Sequence, residues 1–144
     1  MAAIDWLLVL LRAPSQNSPA ALDPIRIQKA LFYISRKDQV PTGEKYEFEP
    51  YNYGPYSRQI YADLDVLVAS GLVALVPDAS RRWSRYALTS SGSSRVDELL
   101  PMLSAWVDLI ESTRELVTGL SFRDLLRRVY REFPEFAVNS IANV

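Results

Sequence analysis

The chain has 144 residues, 49% of them hydrophobic and 23% charged, which is enough apolar surface for the core of one ordinary domain. Its formal net charge is −1, so the chain as a whole does not attract nucleic acid, and any such binding must come from a local patch. It has no cysteine and no histidine, which excludes disulfides, thiolate metal sites, thiol nucleophiles, a histidine-based triad and a near-neutral imidazole base within this chain.

The opening "MAAIDWLLVLL" is apolar, yet it lacks a basic leader, carries Asp5 and is too short to span a bilayer. It reads as a buried helix with Ile4, Leu7, Leu8 and Leu11 at helical spacing, in a cytoplasmic protein with no membrane contact. "RAPSQNSP" ends it as a loop. Asp23 before Pro24 predicts an N-cap and a first helical position for a second helix, "IRIQKALFYISR". Ile27, Ala30, Leu31 and Ile34 form its buried stripe, with Arg26, Lys29 and Lys37 expected outside it. "KDQVPTGEK" breaks that helix, and "YEFEPYNYG" is a short extended segment that Pro50 confines to an edge or to no strand.

A third helix is expected from Pro55, with Ile60, Leu64, Leu67 and Val68 facing the core and Ser70-Gly71 as its stop. Leu72 to Val76 and Ser84 to Thr89 then read as two strands joined by the polar "PDASRRW", a hairpin with an arginine-rich tip. A long apolar stripe from Val96 through Leu99, Leu100, Leu103, Trp106, Val107 and Ile110 follows, kinked or divided at Pro101. Ser121 to Asp124 marks the start of a last helix with Phe122, Leu125, Leu126, Val129 and Phe133 buried and Arg123, Arg127, Arg128 and Arg131 outside.

The order helix, helix, helix, strand, turn, strand is that of a winged helix-turn-helix, and Leu64 to Leu100 resembles bacterial winged-helix regulators. Their pattern ends a recognition helix at "GLV" and closes the wing with "Y-x-L-T-x-x-G" before a long C-terminal helix. In physical terms, Gly71 turns the helix into the hairpin, while Tyr86 and Leu88 pin the returning strand to the core. The expected fold is therefore mainly α with a small β-hairpin, a winged helix-turn-helix with additional C-terminal helices. It forms a single domain over 1–144, with the winged core at about 1–92 and the helical extension at about 93–144.

A second resemblance covers more of the chain. "RIQKALFYIS" and "YGPYSRQIYADLDVLVASGLV" are similar to segments of the SocA-like, or Panacea, antitoxin superfamily and related bacterial and phage proteins. The matching positions are Gln28, Lys29, Phe32, Tyr33, Tyr53, Gly54, Pro55, Ser57, Ile60, Tyr61 and Leu64. The resemblance implies a small cytoplasmic protein of a toxin–antitoxin, phage-defence or regulatory setting, without enzymatic activity.

Two functions follow. In the first, a dimeric transcription regulator binds DNA, with Ser57, Arg58, Gln59 and Tyr61 of the third helix in the major groove and Arg81, Arg82 and Arg85 of the wing on the backbone. From Tyr56 to Arg95 the chain carries five arginines against three aspartates, a weak positive bias. In the second, the same fold binds a protein such as a toxin and no DNA, through Tyr51, Tyr53, Tyr56 and Trp83, since these rings combine an apolar face with a polar tip. The plainer alternatives are that the tyrosines pack across the Gly54-Pro55 turn and that the arginines are solvated. No P-loop, dinucleotide fingerprint or acidic metal cluster is present, and Asp63 and Asp65 stand two apart on a helix, facing different ways. No catalytic residue, metal or cofactor is expected.

Overall fold

The computed structural model describes residues 1–77, 84–142 and 144. Helix α1 (Ala3–Leu10) starts where the Asp5 carboxylate accepts the Ala2 backbone N–H at 3.0 Å. Every residue from Trp6 to Leu11 is buried, so this helix is enclosed on all sides rather than along one stripe. Helix α2 begins as its cap predicts: Asp23 Oδ1 accepts the Arg26 N–H at 2.9 Å and Pro24 is the first residue of the helix, which runs Pro24–Ser35.

Between these helices lies a strand the sequence did not announce, β1 (Ala21–Leu22). It pairs antiparallel with β5 (Arg85–Leu88), which pairs in turn with β4 (Val73–Val76), giving the strand order β1-β5-β4. Two residues are too few to show a period, so only pairing defines β1. Tyr86 is buried and Leu88 packs against the core, as expected of the returning strand.

A second hairpin precedes the third helix. Strands β2 (Glu49–Tyr51) and β3 (Gly54–Tyr56) pair antiparallel, with Pro50 opposite Pro55. Two opposed prolines have no N–H to exchange, so they take the non-hydrogen-bonded position of the ladder, which reconciles Pro50 with a strand. Helix α3 therefore does not start at Pro55 but runs Arg58–Ala69 after Ser57. Gly54, expected to aim that helix, instead serves the hairpin. Its φ is +87°, and a Cβ there would lie 3.0 Å from Tyr130 Cε1.

The motif "Y-x-L-T-x-x-G" acquires a geometric reason. Gly71, at φ +78°, ends α3 as expected, and Thr89 Oγ1 donates to its carbonyl at 2.6 Å while accepting the Gly92 N–H at 3.0 Å. Thr89 thus caps α4 (Ser90–Leu99) and ties it to the end of α3. A Cβ on Gly92 would stand 2.0 Å from the Leu72 carbonyl oxygen, so only glycine lets α4 lie this close to the chain entering β4.

Pro101 divides the long apolar stripe, and after turns through 100–106 helix α5 (Val107–Thr118) begins. Trp106 sits at its N-cap against Trp6, with ring centroids 5.8 Å apart. The helices expected as a C-terminal extension are part of the core: α5 packs on α1 and α2, and Val117 and Ile110 are fully buried. Arg114, 1% exposed, donates from Nε to the Leu10 carbonyl at 2.9 Å and from a terminal nitrogen to the Pro19 carbonyl at 2.6 Å. Burial lowers its pKa from the ordinary value. Arg26 of α2 in turn donates to the Val117 and Leu120 carbonyls at 3.0 and 2.8 Å at the end of α5.

Helix α6 (Phe122–Glu132) starts with the Ser121 hydroxyl accepting the Asp124 N–H at 3.1 Å, as its sequence predicts. Leu125, Leu126 and Val129 are buried, whereas Phe122 and Phe133 are half-buried. Phe133 and Phe136 meet Phe32 edge-on at 4.9 and 4.8 Å, locking the chain after α6 onto α2. Among the described residues no helix is long and apolar enough to cross a membrane.

Gly92→Ala is expected to cost about 3 kcal/mol, the upper range for overpacking, because the added methyl meets backbone. Gly43→Ala, with nothing within 4 Å of the new Cβ, serves as the control and is expected to unfold at the wild-type urea concentration. Equal midpoints for the two variants would contradict the close approach at Gly92.

Candidate functional site

The β2–β3 hairpin is held from beneath by two polar residues of α2. Gln28 forms a pair of hydrogen bonds with the backbone of Ser57: its amide donates to the Ser57 carbonyl at 2.9 Å and accepts the Ser57 N–H at 2.8 Å. Lys29 Nζ donates to the Pro55 carbonyl at 3.1 Å. Both side chains belong to residues only 2% exposed. Lys29, expected on the outside of α2, is thus inside the protein, because α2 is covered on the face opposite its apolar stripe as well.

These contacts also explain why the chain stays extended past Pro55. The Pro55 carbonyl and the Ser57 N–H are taken by α2, and the Ser57 carbonyl accepts both the Gln28 amide at 2.9 Å and the Ile60 N–H at 3.3 Å, so Ser57 is held extended as the N-cap from which α3 starts.

Above Lys29 the hairpin and α3 bring the tyrosines together. The Tyr51 and Tyr56 rings lie 4.7 Å apart at 32°, and the Tyr56 and Tyr61 rings 5.8 Å apart at 35°. Tyr53 turns the other way and meets Phe122 of α6 edge-on at 5.6 Å. The four tyrosines, with Ile25 and Lys29, line a cavity of about 270 Å³ whose lining, among the described residues, includes no carboxylate. The C-terminal segment reaches the same turn, with the Ile141 N–H donating to the Asn52 carbonyl at 2.9 Å.

Electrostatics make the base of this cavity unusual. Burial pushes the Lys29 ammonium down from its ordinary 10.5 to about 7, and Asp23 offsets only part of that. The Asp23 carboxylate is itself held by Arg26 at 2.7 Å. Burial, then the neighbouring Tyr86, Tyr56 and Asp23, raises Tyr61 to about 12, so its hydroxyl is a neutral donor. Tyr46 is pushed far above its ordinary value by burial and by donating to Asp63 Oδ2 at 2.6 Å.

The described residues expected to contact DNA differ in exposure. Ser57, expected on an exposed contact face, is buried, and its backbone is taken by Gln28. Arg58 and Gln59 are exposed, with Gln59 donating to Asp63 at 2.7 Å, and Tyr61 is half-buried. Arg85 does not sit at a hairpin tip; it lies on β5 and lines a different cavity, of about 190 Å³, with Asp23, Arg26 and Thr118. Arg81, Arg82 and Trp83 lie outside the described residues. Of the residues expected to meet a partner protein, Tyr51 is 48% exposed while Tyr53 and Tyr56 are half-buried.

Sequence reasoning left Gln28 and Lys29 out of the site. Helical periodicity placed Lys29 outside the core stripe and left Gln28 unassigned, yet both were among the positions carrying the antitoxin resemblance, and that was the signal available. No protein-family model matches the chain. The chain is similar to the uncharacterised protein YwgA of Bacillus subtilis (strain 168), at 29% identity over 124 residues that cover 80% of this chain and 73% of that protein.

The depressed Lys29 pKa fixes a pH dependence of stability. An unfolded lysine keeps its proton up to its ordinary 10.5, whereas folded Lys29 releases it near 7, so between these values the unfolded chain binds more protons. Unfolding free energy is therefore expected to rise with pH across that window, by up to about 1.4 kcal/mol per pH unit. Below it the penalty is constant. Urea unfolding from pH 7 to 10 measures the slope, and Lys29→Met is expected to flatten it; an unchanged slope in that variant would contradict the burial of the charge.

Proposed function

We propose that the protein is a protein-interaction module on a winged-helix scaffold, acting as an antitoxin-like partner that binds and neutralises another protein. The scaffold is supported by the strand order β1-β5-β4 with α2 and α3 between β1 and β4, the arrangement of a winged helix-turn-helix. The observation that carries the functional reading is the outward face of α3. Its exposed residues are Arg58, Gln59, Ala62, Asp65, Val66 and Ala69. Among the described residues this face offers one cation against one anion and is otherwise largely apolar, which is poor footing for phosphates.

Protein interfaces, in contrast, favour aromatic rings and tolerate neutral apolar surface. The tyrosines of the hairpin adjoin the N-terminal end of this helix, with Tyr51 and Val66 both strongly exposed. The interaction surface would then run from the tyrosine stack along α3, with Tyr51 and Tyr56 as its anchors.

The strand order also favours a second reading, sequence-specific DNA binding, because the scaffold it suggests commonly presents its third helix and wing to a duplex. Arg58 and Gln59 remain available for it, and Arg81, Arg82 and Arg85 would supply the wing.

The two readings separate in paired measurements. The interaction reading expects co-purification with the product of a neighbouring gene, lost in Tyr51→Asp and Tyr56→Asp, and no gel shift of upstream DNA. A shift that weakens steeply with salt and disappears when Arg58, Arg81 and Arg82 become glutamate would overturn it in favour of DNA.

A further inference from the structure

The cavity beneath the tyrosines is more than a gap between elements. Its base holds a lysine that is 2% exposed and, among the described residues, has one hydrogen-bond acceptor, the Pro55 carbonyl at 3.1 Å, for a group that carries two N–H donors as an amine and three when protonated. Among the described residues no carboxylate lines the cavity. Gln28, the neighbour of Lys29 on α2 that also lines the cavity, has both its carbonyl and its NH₂ committed to Ser57. Asp23, the acid whose charge Lys29 feels, is held by Arg26 at 2.7 Å. Among the described residues the lysine thus has no carboxylate of its own to hold it in its charged form, and the cavity is where one would enter.

The walls state what that partner must carry besides charge. Tyr51, Tyr56 and Tyr61 present successive rings at 4.7 and 5.8 Å with mutual tilts near 32° and 35°, a surface that suits another planar ring. The volume, about 270 Å³, lies at the lower edge of ordinary small-molecule sites, which begin near ~300 Å³. That admits one ring with a short acidic arm and leaves no room for a dinucleotide or a fused polycyclic ligand.

We propose that this cavity is a binding site for an aromatic carboxylate, whose ring stacks on the tyrosines while its carboxylate pairs with Lys29. The same chemistry is offered by a free aromatic acid and by the C-terminal aromatic residue of a peptide. The site does not depend on whether the outer rim meets a protein, so it stands or falls apart from the interaction reading above.

The test uses the full chain, isotopically labelled, with phenylacetate and phenylacetamide as probes followed by NMR. Saturable shifts at Lys29, Tyr53 and Gly54 with phenylacetate are expected, and the amide is expected to bind about tenfold to a hundredfold more weakly, the worth of a charge-assisted hydrogen bond. Lys29→Met is expected to remove that preference; the comparison of acid with amide on the wild-type chain stands even where the variant fails to fold. Equal binding of the two probes, or no saturable shift at low-millimolar concentration, would overturn the proposal. A Gly-Gly-Phe peptide with a free C-terminus distinguishes the sources: tighter binding than phenylacetate assigns the site to a chain terminus, and weaker binding assigns it to a free acid.

Discussion

The arrangement of this protein around its candidate site depends on two polar side chains buried in a helix. Gln28 and Lys29 leave α2 on the side away from its apolar stripe, and a buried amide and amine must find partners or cost several kcal/mol. They find them in the backbone of Pro55 and Ser57, which fixes where β3 ends and α3 begins. The hairpin therefore has its shape dictated from inside, although its outer ring, Tyr51, is half in solvent. Gly54 completes the constraint, because its positive φ and the nearby Tyr130 ring admit no side chain.

Arginines perform the equivalent task at the other end of the core. Arg114 satisfies carbonyls at the end of α1 and in the loop beyond it, while Arg26 does the same at the end of α5. Helix α5 thus supplies a donor to the terminus of α1 and α2 supplies donors to the terminus of α5, a relay of capping between elements about ninety residues or more apart in the chain. The consequence is that the C-terminal helices cannot be treated as an appendage. Removing α5 would leave the carbonyls of Leu10 and Pro19 without these donors and take away an element packed on both α1 and α2.

Much of this was legible in the sequence and some was not, for identifiable reasons. The cap at Asp23-Pro24, the stop at Gly71, the strand pair 73–76 and 85–88 and the start at Ser121 were readable because each rests on local backbone chemistry. Strand β1 was not, since two residues carry no period and its existence depends on Tyr86 and Ala87 arriving from sixty-odd residues away. Lys29 was misplaced because periodicity assigns a charge to solvent by default, and only the covering hairpin reverses that. Ser57 looked like a contact residue from its position beside Arg58, yet the pairing of its backbone with Gln28 draws it inside. Conversely, the grouping of the tyrosines was visible early, and what the structure added was the lysine under them.

The dependence of the hairpin on α2 is tested most directly by amide hydrogen exchange in Gln28→Leu, compared with the wild-type chain. Removing the amide deprives the Ser57 N–H of its acceptor and its carbonyl of a donor, while leaving α5 and its arginine contacts in place. Faster exchange confined to residues 51–57, with the amides of α5 as protected as before, is the predicted result. Undiminished protection of the Ser57 amide in that variant would contradict the claim that α2 holds the hairpin in shape.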